Sequence, residues 1–161
     1  MLEWLETTPY SEWVTASWGW PFALTLHAFG SAIVAGLMFI IGLRIFGFFR
    51  TIPYTSLEKL APYVWTGVVI QFYSGLTLWM SKPPKYVRDW VFDTKFTLVV
   101  IGIIFTVMFL KTLRLEAAQW QTAGAVSSTG LKRAGAACAT WAFVIIMGRL
   151  TAYLGSLYGV G

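Results

Sequence analysis

Four apolar stretches, uncharged or nearly so, alternate with short basic connections along this chain. The first, residues 20–43, carries no formal charge and a single imidazole, His27; at 1.5 Å per residue it is long enough for a hydrocarbon core of about 30 Å. The second, 60–81, is uncharged, opened by Pro62 where a missing N–H matters little and followed by Pro83-Pro84, which stop a helix. The third, 94–113, has a purely apolar centre from Phe96 to Leu110, with Lys95 and Lys111 placed to snorkel from its ends. The fourth, 132–154, begins at Lys132-Arg133 and reaches spanning length only by including Arg149.

This pattern predicts an all-α, integral membrane four-helix bundle forming a single transmembrane domain. Ahead of the first span, apolar and aromatic residues from Leu2 to Trp18 mix with Glu3, Glu6 and Glu12, which predicts one or two short interfacial helices, one starting at Thr8-Pro9. Absence of Lys and Arg from the first nineteen residues argues against a cleavable signal, so the first helix is expected to remain. Glu116 to Gly130, with its Gln, Ser, Thr and Gly, reads as a polar loop between the last two spans.

Composition fits the same picture. Only 12% of the residues are charged and 57% are hydrophobic, against about a quarter charged in ordinary soluble domains. The net charge of +5 sits in clusters beside the apolar runs, so it sets orientation and implies no nucleic-acid partner. The first and third connections together hold seven Lys or Arg and the second holds four, which predicts those two connections on the cytoplasmic side and both termini on the outer side, periplasmic if the protein is bacterial. Cys138 is the lone cysteine, in an alanine-rich stretch, and reads as a packing residue.

Polar groups inside a span are the natural places to look for chemistry. On the predicted topology His27 lies about 10 Å below Trp20, Gln71 and Ser74 about 14 and 9 Å below Met80, and Arg149 about 8 Å below Leu154, all in the outer half. Helical spacing puts Ala23, Gly30 and Ser31 beside His27, Gly67 and Gly75 beside Gln71, and Ala142, Ala152 and Tyr153 beside Arg149. Such small-residue faces pack against other helices. The expected site therefore combines His27, Gln71, Ser74, Arg149 and Tyr153, with Lys95 and Trp79 near its mouth.

Each member also has a plainer reading. Gln71 and Ser74 can simply hold helices together, Arg149 can be capped by carbonyls or snorkel, and a neutral His27 can bridge two helices. As a metal ligand, His27 leaves open a haem b with Met80 or Met147 as second ligand, or one shared between two copies. A copper site of the His/Cys/Met type is disfavoured by the separation of His27 from Cys138, and a structural zinc site lacks enough ligands. Every Asp and Glu lies outside the apolar spans, which argues against hydrolysis or proton pumping through an intramembrane carboxylate.

Taken together, Glu3-Trp4-Leu5-Glu6 with Thr8-Pro9, Ser17-Trp18, Trp20-Pro21, His27, Gly30, Leu43-Arg44 with Gly47, Trp65-Thr66-Gly67, Ser74-Gly75, Lys95, Gly148-Arg149 and Ala152-Tyr153 resemble an uncharacterised bacterial family of four-helix inner-membrane proteins. The resemblance covers nearly the whole chain. Gly42 stands where that family usually has an acidic residue, and its second histidine is absent, which disfavours a two-histidine haem in one subunit. The architecture is also similar to copper-resistance membrane proteins and small haem-b cytochromes. The leading expectation is a small subunit with a haem or quinone site for electron transfer. Its rival is a scaffold whose stripes Ala28, Ala32 and Gly36, and Gly135 and Ala139, pack against copies of itself or a larger complex, with membrane lipid as the common partner; small-molecule transport ranks below both.

Overall fold

The computed structural model describes residues 3–81 and 90–157, with side chains from Trp4 to Ser81 and from Trp90 to Leu150. The described residues contain no strand. Two short helices, α1 (Glu3–Glu6) and α2 (Pro9–Ala16), precede α3 (Gly19–Ile45). A loop leads to α4 (Tyr54–Leu57), a 3₁₀ turn (Glu58–Leu60) and α5 (Ala61–Ser81). Two long helices follow, α6 (Trp90–Ala123) and α7 (Ser128–Leu157). The prolines 83 and 84 and the basic residues 82, 85 and 88 lie outside the described residues.

Local chemistry accounts for most boundaries. Thr8 caps α2: its Oγ1 accepts from Ser11 N at 3.2 Å, and Pro9 takes the first helical position. Ser127 caps α7, its Oγ accepting from Gly130 N at 3.0 Å. Gly124, at φ +68°, provides the left-handed turn that ends α6.

One expectation is corrected here. The stretch from Glu116 to Ala123 is helix rather than loop, and α7 begins at Ser128, which leaves a short connection over residues 124–127. Glu, Ala and Gln are good helix formers, and this extension has something to bury against: Ala117 and Trp120 are fully covered where α4 meets α6.

Helix α3 pairs with α5, α6 pairs with α7, and a contact of α3 with α7 joins the two antiparallel pairs. Glycines set the separations. A Cβ at Gly30 would come within 2.8 Å of the Gln71 backbone N, and one at Gly67 would meet Ile33 and Val34 at 2.8 Å. A Cβ at Gly42 would overlap Cys138 Sγ, whose thiol donates to the Met38 carbonyl at 3.4 Å. Small residues thus allow three backbones to approach closely, as in membrane bundles generally.

The interior divides by depth. Val34, Met38, Ile41, Phe109, Leu113, Ala134, Ala137 and Trp141 form an apolar core toward the end that carries α4. Toward the end that carries α2, the interior turns polar. Outside, Phe29, Val69, Phe72, Phe96, Ile104, Phe143 and Ile146 are all exposed, an apolar exterior suited to lipid rather than water. Three helices are long and apolar enough to cross a membrane: α3, α6 and the Ser128–Leu150 part of α7. Helix α5 carries no charged residue, but Gln71, Ser74 and its Tyr and Trp residues reduce its mean apolarity.

Candidate functional site

The polar end of the bundle is organised around His27. On α3 its ring lies against Gly75 of α5, where an added Cβ would come within 3.1 Å of Cε1. One turn further along α3, the Gly30 contact holds the α5 backbone close enough for Gln71 and Ser74 to reach the imidazole. Nδ1 is 3.1 Å from Ser74 Oγ, and Nε2 is 3.0 Å from Gln71 Nε2. The Gln71 Oε1 accepts from Ser31 Oγ at 2.8 Å.

The donors and acceptors determine the tautomer. Ser74 donates its hydroxyl proton to the Ile70 carbonyl at 2.6 Å, so toward His27 its oxygen can only accept. Nδ1 therefore carries the proton, and Nε2 presents a lone pair to the Gln71 amide. Lys95 reaches the same lone pair from α6, its Nζ 3.5 Å from Nε2. The lysine stem is itself flanked by Gly148 of α7, where a Cβ would lie 3.6 Å from Lys95 Cε and Nζ. Helices α5 and α6 thus both reach the imidazole, and α7 flanks the lysine. Every buried side-chain nitrogen and oxygen among the described residues has a hydrogen-bond partner.

His27, Gln71, Ser74 and Lys95 are brought together, and Lys95 stands at the depth of the imidazole rather than at a mouth. Arg149, expected in the interior, is exposed on α7, one residue past the glycine that accommodates Lys95. Gly148 faces the lysine, and a rotation of about 100° per residue turns the next side chain outward. Trp79 is half-buried on α5, and the side chain of Tyr153 lies outside the described residues. Ser31, four residues after His27, had a helical-spacing signal and proves to be the partner of Gln71.

A second contact escaped sequence reasoning. Tyr10 of α2 lies 2.9 Å from Thr77 Oγ1, one turn beyond Ser74, and Ser11 Oγ donates to the Met80 carbonyl at 3.1 Å. These bonds hold α2 across the end of α5, and no residue pattern in α2 announces them.

A haem does not fit this arrangement. An axial imidazole must offer a free lone pair. Here Nε2 is engaged by Gln71 and approached by Lys95, while Nδ1 holds its proton for Ser74. Among the described residues no cluster of three or more His, Cys, Asp or Glu could hold a metal ion. What the geometry does offer is a lysine nitrogen with donors to spare: Nζ has three, and the imidazole can accept one. No family model, curated protein or solved structure matches the chain.

Proposed function

We propose that the chain is a multi-pass inner-membrane subunit that binds a small carbonyl-bearing ligand of the quinone class beside Lys95 and His27. One observation carries the reading: a lysine is brought through the bundle to within 3.5 Å of a neutral imidazole. An ammonium buried in the membrane is expensive without acceptors, and a single nitrogen lone pair satisfies one of its three N–H groups. A quinone carbonyl is an acceptor that an apolar, lipid-soluble molecule can deliver there.

The fourth crossing belongs to the same reading. Tyr63, Val69, Phe72, Tyr73 and Leu76 of α5 are exposed in the manner of the other long helices, and α5 pairs antiparallel with α3, which supports a fourth crossing; four crossings would put both termini on one side. The excess of Lys and Arg in the first and third connections supports a periplasmic assignment for that side. His27 and Lys95 then lie in the outer leaflet.

The test is binding of a short-chain quinone to protein in lipid nanodiscs, read by quenching of tryptophan fluorescence. Saturable quenching that Lys95→Met weakens at least tenfold is the expected result. Equal affinity in wild type and Lys95→Met, with both folded, would sink the reading.

The scaffold alternative is favoured by a separate feature. Ala32 and Gly36 open an apolar groove on α3 of about 520 Å³, bounded by Leu37, Ile40, Leu60 and Tyr63, and a Cβ at Gly36 would touch nothing. A helix of another subunit is one candidate occupant.

A further inference from the structure

We propose that His27, Gln71 and Ser31 form a two-state proton site in which the Gln71 amide turns over when His27 takes a proton on Nε2 from Lys95. The proposal deepens the ligand-site reading above and rests on it for the direction from which Lys95 is recharged.

In the observed state the chain of bonds runs one way. The Gln71 amide N–H points to Nε2, Ser31 Oγ donates to Gln71 Oε1 at 2.8 Å, and Nδ1–H points to Ser74. A proton on Nε2 would face an amide NH₂, donor against donor. Turning the amide by about 180° removes that conflict, because the two ends of the group are nearly isosteric. Oε1 then accepts from Nε2–H, and the amide NH₂ donates to Ser31 Oγ.

Ser31 has somewhere to send its own proton. Its Oγ already lies 3.0 Å from the His27 carbonyl, so the hydroxyl hydrogen moves to that acceptor and the oxygen becomes free to accept. Ser74 is unaffected, since Nδ1 stays protonated in both states. In each state Nδ1–H stays on Ser74 and the two ends of the Gln71 amide meet complementary partners in His27 Nε2 and Ser31 Oγ, while Lys95 keeps donors to spare.

The transfer balances. The N–H bond at Lys95 Nζ breaks with its electron pair remaining on Nζ, an N–H bond forms at His27 Nε2, and the positive charge moves from lysine to imidazole. The neutral amine of Lys95 then regains a proton from the aqueous face at the α2 end. Among the described residues, the charged or titratable groups around the imidazole are Lys95 on α6 and, further out, Asp93 on α6, Arg149 on α7, Tyr10 and Glu12 on α2 and Tyr73 on α5, beside Tyr10. Asp93, Arg149, Glu12 and Tyr73 are exposed; the α5 groups against the imidazole itself, Gln71 and Ser74, are uncharged.

His27 is the sole histidine, so a histidine-specific ¹⁵N label yields a single imidazole with no assignment problem. Protein in nanodiscs, labelled at histidine and at the glutamine side chains, is titrated from about pH 9 to about pH 4. The expected record is a neutral ring protonated at Nδ1, converting to a doubly protonated ring, with the Gln71 amide signals changing in the same step. Gln71→Met should leave the neutral ring protonated at Nδ1, because Ser74 still accepts there, while the coupled amide step disappears. Three results would overturn the switch: a neutral ring protonated at Nε2, an imidazole that never becomes doubly protonated, or Gln71 signals that stay constant while His27 titrates. Quinone quenching is measured on the same sample. Its loss with the amide step intact removes the ligand class alone, and its survival with a silent amide removes the switch alone.

Discussion

Lys95 and His27 stand 68 residues apart in the chain, yet the lysine Nζ lies 3.5 Å from the imidazole Nε2. That pairing places the interior cation on the third long helix, with Gly148 of the fourth beside its stem.

Removing the imidazole should loosen the α3–α5 pair without dissolving the bundle. In His27→Ala, Gln71 and Ser74 each lose a partner, and hydrogen bonds between membrane helices average about 0.6 kcal/mol each. A loss of about 1–2 kcal/mol in a detergent-denaturation titration is expected. Ser31→Ala should show a smaller effect, since Gln71 keeps its bond to His27.

Gly42 and Cys138 predict a compensating pair. Gly42→Ala puts a methyl group into the Cys138 sulfur, at an expected loss of about 1–3 kcal/mol. Cys138→Gly made together with Gly42→Ala should recover most of it, because the sulfur is then gone. Thermal melts of the two single variants and the double variant form the cycle; strict additivity would show that the two positions do not collide.

At the opposite end of the bundle, Arg44 ties down the first connection. Its Nε donates to the Ile52 carbonyl at 2.6 Å, and its guanidinium sits 3.8 Å over the Tyr54 ring, which in turn packs edge-on against Trp120. Arg44→Leu keeps the bulk and loses both interactions, so about 2 kcal/mol of stability should go. Limited proteolysis should then cut between residues 46 and 53, where wild type resists. Arg44→Lys should rescue poorly, because an ammonium lacks the planar group that stacks on the ring while donating sideways.

Helix α2 is held to α5 by hydroxyls. Thr77 Oγ1 donates to the Tyr73 carbonyl at 3.0 Å, so the Tyr10 hydroxyl is the donor between Tyr10 and Thr77. Tyr10→Phe should raise backbone hydrogen exchange in α2 about fivefold, equivalent to about 1 kcal/mol, with little change in α3 or α6. Equal exchange in both proteins would mean that burial of Val14 and Leu5 alone holds the strap.

Much of the anatomy is legible without a structure because it is written in local terms. An uncharged run of twenty residues must form helix if it is to satisfy its backbone in an apolar medium, and Pro9, Pro62 and the hydroxyl caps mark where helices begin. Glycines beside His27 and Gln71 at helical spacing pointed to close packing against other helices, without saying which, and helix period put Ser31 on the imidazole's face. The length of α6 was not legible from polarity, because Gln, Glu and Thr are as compatible with a solvated helix as with a loop; burial of Ala117 and Trp120 decides it.

Which cation meets the imidazole belongs to the tertiary structure alone. Depth follows from counting residues at a fixed rise, and that count put Arg149 in the interior and Lys95 at the mouth. The direction in which a side chain points depends on how far its helix is rotated about its own axis, and a shift of one residue swings it by about 100°. That rotation is set by distant contacts: Gly42 on Cys138, Thr106 on Trp141, Gly102 on Thr140. Hydrophobic pattern reports how deep a residue lies in the membrane, and only the packing of one helix on another decides what it faces there.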